Sequence, residues 1–407
     1  MERHLDFVSV MIYVGVFALS LFFANIAEIL LQRPVIYQYK WNDRKRIIGF
    51  FFLGVAIFIP CIFAAFRGFD VGRDVKNYII DYYDYGRSPN VSFGDFREQV
   101  KLKIPEILFT LLMYICCKIG SLRLLFFTIQ ALIMIPLAYA LVNSKEKNRE
   151  GILLYRKDNN KGALVLGFAL YYLLFFNFSL SAMRQSIAMS LLLAAVVHTL
   201  RHRIVRAIAL IVIAQMFHSS VALIVVLVLL CYIINKSNYR KVYYCFFAVL
   251  LLAAFFAFSI YAYKIADLAA IFNPRYRFFI RNFFHGGIVL SDIPITDIMI
   301  KTILVIIPVG IAFTKKKISE VDRLMLIFVF VGRYFVLFNG VFFESMRIAY
   351  YFDAFLVLYI PRSLLLVRKN NNRVLYSCIY VFFAFLYWIY YIMYVGGYST
   401  NLVTFNI

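Results

Sequence analysis

The sequence predicts an all-α, polytopic integral membrane protein of about twelve transmembrane helices, with one further short re-entrant or interfacial helix. Three observations carry that expectation. Of 407 residues, 63% are apolar and 16% charged, with a mean hydropathy of +0.81. A soluble domain is about 45–50% apolar and about 25% charged, so too little polar surface is present to coat a water-soluble core. Apolar runs long enough to cross a bilayer recur from end to end, and basic residues gather in the loops between them. A soluble enzyme is excluded. The net charge of +22, which in a soluble chain would point to nucleic acid, is accounted for mostly by loop topology, and no nucleic-acid partner is expected.

Apolar periods place spans at 8–31, 47–66, 121–142, 162–182, 185–200, 204–217, 219–235, 241–263, 298–314, 322–340, 348–367 and 373–395. The first is too long, and too poorly flanked by basic residues, for a secretory leader, and is read as a spanning helix. Loops 32–46, 143–161, 201–206, 235–241, 315–323 and 362–373 hold 25 of the 43 lysines and arginines, which assigns them to the cytoplasm. Segment 106–120 (EILFTLLMYICCKIG) is apolar for only about a dozen residues, short of the roughly 17 a span needs. It is read as re-entrant or lying on the outer interface, which leaves both termini outside. The whole of 1–407 reads as one polytopic domain with outer loops near 67–105 and 264–297.

No GxxxxGK[ST], GxGxxG, HExxH, CxxC pair or DxD occurs, so ATP-driven transport, dinucleotide redox chemistry, zinc hydrolysis and metal-assisted use of a nucleotide sugar lack their apparatus. The six cysteines lie in or beside apolar segments without metal-ligand spacing and read as small core residues. No metal and no cofactor are expected.

The outer-face polar residues carry what chemistry there is. Loop 67–105 opens RGFDVGRDVKNY and mixes Arg67, Arg73 and Lys76 with Asp70, Asp74, Asp81 and Asp84. Asp74, Tyr78 and Asp81 or Tyr82 recur at helical spacing, which puts a carboxylate and aromatic rings on one face. Such a face suits sugars and phosphate with a carboxylate as base, or is a solvated loop whose charges pair among themselves. In FSLSAMRQSIAM two spans meet with almost no loop, so Arg184 and Gln185 open a helix at membrane depth. An arginine there is costly unless paired, and backbone donors at a helix N-terminus add to an anion site.

His218 occupies the turn of a second tight hairpin, AQMFHSSVAL, either as a general base or phosphate ligand, or as a core histidine capping the next helix. In NPRYRFFIRNFF, Pro274 can open a short helix that sets Arg277 and Arg281 four apart with Arg275 nearby. That helix fits anionic headgroups or a lipid-linked diphosphate, which arginine matches bidentately. In VFFESMRIAYYFDAF, Glu344, Arg347, Tyr350 and Tyr351 share a face, with Asp353 following inside the apolar run. The pair Glu344 and Arg347 is either an internal ion pair or a device that aims the guanidinium at a ligand. The arginines at the outer helix ends, Arg67, Arg73, Arg184, Arg275, Arg277 and Arg347, lie on the side that positive-inside bias works against. A polyanionic ligand at that face explains them.

The order of these pieces resembles the EpsG-like branch of the Wzy-type polysaccharide polymerases. The resembling parts are R-G-x-D-x-G-x-D with a following Tyr at 67–78, M-R-Q-S-I-A at 183–188, a basic turn, F-H-S-S at 217–220 and the later outer Arg-Tyr positions, spanning about residues 47–355. Met183 stands where a small or polar residue is expected. The resemblance implies a bacterial cytoplasmic-membrane glycosyltransferase working at the periplasmic or exterior face. It would use oligosaccharide repeat units on undecaprenyl diphosphate to build O-antigen, capsule or exopolysaccharide, alongside a flippase and a chain-length regulator of the same pathway. On that footing Asp74, Asp70 or His218 would be the base, in that order, and Arg67, Arg73, Tyr78, Arg184, Gln185, Arg275, Arg277, Arg281, Arg347 and Tyr351 would bind substrate and diphosphate. A lipid-linked oligosaccharide flippase or transporter would place charges along a midplane path and show repeat symmetry, which the sequence lacks. A glycan ligase shares both topology and leaving group.

Overall fold

The computed structural model describes residues 7–31, 43–69, 71–144, 162–236, 240–269, 271, 294–313, 319–342, 344–364, 367 and 370–395, and every regular element among them is a helix. Six of these are long and apolar enough to cross a membrane: Val10–Leu31, Arg44–Phe66, Leu122–Asn143, Ala163–Ser181, Met183–Leu200 and Asn371–Met393. Shorter apolar helices cover Ile107–Ile119, Ile204–Phe217 and Val221–Lys236. The protein is an all-helical, polytopic membrane protein. Its chain divides into two compact units, Met1–Ala222 with Ile360–Ile407, and Leu223–Tyr359.

In the first unit, α1 (Phe7–Leu31) packs on α2 (Asp43–Phe66). A π turn at Val75–Ile79 and two short helices, α3 (Ile80–Arg87) and α4 (Phe93–Val100), follow where the sequence suggested an outer loop. Helix α4 forms because Ser92 and Asp95 make a reciprocal capping box, a signal legible in S-x-x-D. Segment 106–120 is helix α5 (Ile107–Ile119), stopped by Gly120 at φ +79°, a left-handed conformation that glycine adopts without strain. It packs against α3, α4, α6 (Leu122–Asn143) and α10 (Ile204–Phe217).

The next pair, α7 (Ala163–Tyr171), continued by a π turn at Tyr172–Phe176 and by α8 (Asn177–Ser181), and α9 (Met183–Leu200), breaks only at Ala182. Helix α9 is buried along most of its length and packs between α6 and α10, which makes it the centre of this unit. Tyr13, Phe17, Phe63, Tyr172, Phe176 and Trp388, the last from α17 described below, form an aromatic cluster whose contacts are mostly edge-to-face, with Phe17 stacked on Tyr172. Two polar side chains inside this apolar packing are bonded, as a low dielectric favours, while the buried Tyr13 hydroxyl has no partner among the described residues. Ser20 donates to Ala56 O at 2.6 Å, and Trp388 Nε1 donates to Asn177 Oδ1 at 2.9 Å.

The second unit contains most of α11 (Val221–Lys236), then α12 (Arg240–Ala269), α13 (Ile295–Phe313), α14 (Glu320–Leu337) and α15 (Ser345–Asp353). Helix α12 runs beyond the span expected at 241–263 and carries a non-helical residue, Tyr261. The span expected at 348–367 is broken at Ala354 and Phe355 into α15 and α16 (Leu356–Leu364). Helix α17 (Asn370–Tyr390) and a terminal π turn belong to the first unit.

Glu28 shows how the helices of the first unit are joined. Its buried carboxylate accepts from the backbone N–H groups of Ala163, Leu164 and Val165 at 2.9, 3.1 and 3.1 Å, and so supplies from α1 the N-terminal cap that Gly162 cannot give α7. Truncation strands three donors. Glu28→Ala is therefore expected to destabilise the purified protein by roughly 2–4 kcal/mol. Thermal unfolding in detergent checks this, and an unchanged melting temperature would deny Glu28 its capping role.

Candidate functional site

The site of the first unit is built where α8 ends and α9 begins. Ala182 leaves helical geometry (φ −105°, ψ 63°), so the chain turns in one residue and Arg184 projects from the first turn of α9. Arg67, Gly72 and Arg73 lie against this break. Arg67 Nη1 donates to Leu180 O at 2.8 Å, Nη2 to Met183 Sδ at 3.3 Å, and the backbone N–H of Arg73 to Ser181 Oγ at 3.1 Å. Gly72 permits the approach: its φ is +108°, and a Cβ there would lie 2.4 Å from Leu180 O.

Arg67 is 3% exposed and its guanidinium covers the Phe126 ring at 4.3 Å. Among the described residues none of its nitrogens meets a carboxylate, and Nε has no partner. Burial pushes its pKa down to about 10, with the charge of Asp74 opposing, so it remains a cation at neutral pH.

Arg184 has the carboxylate that Arg67 lacks. Its Nη1 meets Glu106 Oε2 at 2.6 Å and Lys103 O at 3.3 Å, and the guanidinium lies over the Tyr78 ring at 5.1 Å. Glu106, at the N-terminus of α5 and 6% exposed, accepts from the backbone N–H of Ser219 through Oε1 at 3.3 Å. One carboxylate thus ties the head of α9 to the turn that carries His218. His218 ends α10 in extended conformation, with Nδ1 2.7 Å from Ser220 Oγ. Burial, and next the Asp74 carboxylate, hold the Tyr78 phenol well above its ordinary pKa against the pull of Arg184, so it stays a neutral hydroxyl.

Of the residues expected from sequence, Arg67, Asp74, Tyr78 and Arg184 come together around the break, and His218 joins them through Ser219 and Glu106. Arg73 exposes its side chain, and Gln185 is buried in α9. The π turn shifts the register of Asp74 and Tyr78 against the residues that follow, and Asp81 is exposed. Asp70, Arg275, Arg277 and Arg281 lie outside the described residues. Glu106 is the residue that sequence reasoning passed over. Its signal was a lone carboxylate opening an apolar helix directly after Pro105.

In the second unit Arg347 Nε meets Glu344 Oε2 at 2.6 Å, the internal ion pair of the sequence reading, and keeps 42% of its side chain exposed. Tyr350 and Tyr351 are buried. Beneath them Asp297 and Lys301 of α13, Arg333 of α14 and Asp353 of α15 form a buried ring of ion pairs. Of the four, the sequence reading singled out Asp353 alone.

The pair between Glu106 and Arg184 makes a direct test of the first site. Glu106→Ala leaves a buried guanidinium uncompensated, for an expected loss of about 3–5 kcal/mol in unfolding free energy. Adding Arg184→Met should recover at least half of it. Equal losses in the single and double variants, read by denaturation in detergent, would remove the pair from the account.

No curated protein and no solved structure matches the chain. Residues 50–405 match the EpsG family, and this stretch contains every residue of both sites. A helix break lined by arginines, tyrosine and a carboxylate in a polytopic membrane protein fits that match, and the chain belongs to the EpsG family of Wzy-like polysaccharide polymerases and EpsG-type glycosyltransferases.

Proposed function

We propose that the protein polymerises oligosaccharide repeat units carried on undecaprenyl diphosphate, at the outer face of the bacterial cytoplasmic membrane, in a chain that crosses that membrane about twelve times. The observation that carries this reading is Arg67, a buried cation whose terminal nitrogens rest on a carbonyl and a thioether. Neutral partners do not repay the desolvation of a guanidinium, and an anionic ligand does. Arg184 opens the adjacent helix, whose first N–H groups add partial positive charge.

In the reaction the acceptor hydroxyl oxygen bonds to the anomeric carbon of the donor chain, and the bond from that carbon to the diphosphate oxygen breaks. Undecaprenyl diphosphate leaves with the electron pair, and the hydroxyl proton passes to a base. Arg67 and Arg184 stabilise the charge that develops on the leaving diphosphate, work that fixed donors in a dry site perform without a metal. Asp74 is the first candidate base, with Asp70 and His218 as the others. Arg73, Arg275, Arg277, Arg281 and Arg347 are assigned to phosphate. Gln185 is assigned to the same binding role, and Tyr78 and Tyr351 to sugar rings. The pathway's flippase and chain-length regulator are the expected partners.

Arg184→Ala and Arg347→Ala are expected to abolish long-chain polysaccharide in cells while the protein still inserts and accumulates. Wild-type chain lengths from both variants, on a gel of the extracted polysaccharide, would sink the assignment.

A further inference from the structure

The second unit spends four charges in a place where apolar side chains would pack. Lys301 Nζ meets Asp297 Oδ1 at 2.7 Å and Asp353 Oδ2 at 3.0 Å, while Arg333 reaches Asp297 Oδ2 at 3.2 Å and also pairs with Asp353. Each cation touches both carboxylates, so the ring is neutral and closed, with side-chain exposures of 0, 2, 1 and 11% for Lys301, Asp297, Asp353 and Arg333. Burying such a set costs desolvation that its pairing only roughly returns, and apolar residues of similar volume often do as well or better. Stability alone is a poor reason for it. Ionisable groups inside membrane helices more often mark function.

The ring's place in the fold indicates which function. Helix α15 is nine residues long and loses helical continuity at Ala354 and Phe355, so its direction depends on side-chain anchors. Asp353, its last residue, is one anchor. Gly332 of α14 makes room for it, since a Cβ there would lie 2.8 Å from Asp353 Oδ1 and 3.1 Å from Phe352 Cβ. The Phe352 ring is stacked on Phe335, and Lys301 Nζ lies 4.9 Å from the Tyr350 ring centroid. Arg347, six residues before Asp353 and so about 9 Å along the helix, projects from the other end.

We infer that the ring of Asp297, Lys301, Arg333 and Asp353 is a positioning device that fixes α15 so that Arg347 meets the phosphate groups of the lipid-linked substrate. The inference rests on the phosphate role proposed for Arg347. The test uses full-length protein in detergent and undecaprenyl diphosphate as the probe, with Kd measured for wild type, Arg347→Ala, Lys301→Met/Asp353→Asn, and the combination of all three changes. The ring double keeps one cation and one carboxylate, so no charge is stranded.

Expected results are binding at least fivefold weaker in the ring double at an unchanged melting temperature, and no further loss when it is added to Arg347→Ala, because both act through one contact. Unchanged Kd in the ring double, or losses that multiply, would overturn the proposal. If wild type does not bind the probe, or Arg347→Ala binds it as wild type does, the phosphate reading fails and takes the inference with it, and this is visible before any ring variant is measured. Should the ring double not accumulate, Asp353→Glu keeps the charge and displaces the carboxylate. Weaker binding by that variant supports positioning, whereas wild-type binding or a second failure to accumulate assigns the ring to folding alone.

Discussion

The ion pair between Glu106 and Arg184 is the interaction on which the first unit's site depends. A guanidinium at the head of a buried helix cannot stay there without a counter-charge, and the carboxylate that supplies it comes from a different helix nearly eighty residues earlier in the chain. Because Glu106 has two oxygens and uses the second on the backbone of Ser219, pairing the arginine also places the turn that carries His218. Tyr78 lies across the face of the same guanidinium, and through it Asp74 enters the neighbourhood. One desolvated charge therefore gathers residues from segments far apart in sequence.

The same constraint sets the rest of the architecture. Where water is absent, each polar atom must find a partner inside the protein, and these partners are also what ties the helices together. Glu28 caps a helix it does not belong to, Trp388 holds Asn177 where the π turn hands over to α8, and the ring in the second unit joins three helices through four charges. Arg67 is one of the buried groups that this packing leaves partly unsatisfied, and it gives the site its chemistry. Among the described residues its hydrogen-bond partners are neutral and its Nε is unused, and an anion is what it would gain most from.

How much of this the sequence reveals depends on whether the signal is local. Apolar runs are local, so the spans at 8–31, 162–182 and 185–200 agree with α1, α7 with α8, and α9 to within a few residues. The break at Arg184 was legible because two apolar runs adjoin with an arginine between them. Loop 67–105 was read as an outer loop because of its charges, although Asp74, Tyr78 and Asp81 recur at helical spacing and S-x-x-D at Ser92 announces a second helix. Glu106 and the ring were missed for a different reason. A carboxylate beside an apolar run reads as a boundary, so Asp297 fell into a loop and Lys301 passed as a lone charge, and partners on other helices have no trace in the linear order. Gly332 likewise becomes meaningful only once Asp353 is known to lie against it.

The central claim is chain growth from a lipid-diphosphate donor at a site that needs no nucleotide. It is tested most directly by reconstituting the purified protein in liposomes with undecaprenyl-diphosphate-linked repeat units, no nucleotide added, and resolving the products on a gel. The account predicts a ladder spaced by one repeat unit. Unchanged monomer, with labelled substrate instead appearing on the opposite side of the bilayer, would contradict it and make the protein a carrier of lipid-linked oligosaccharide.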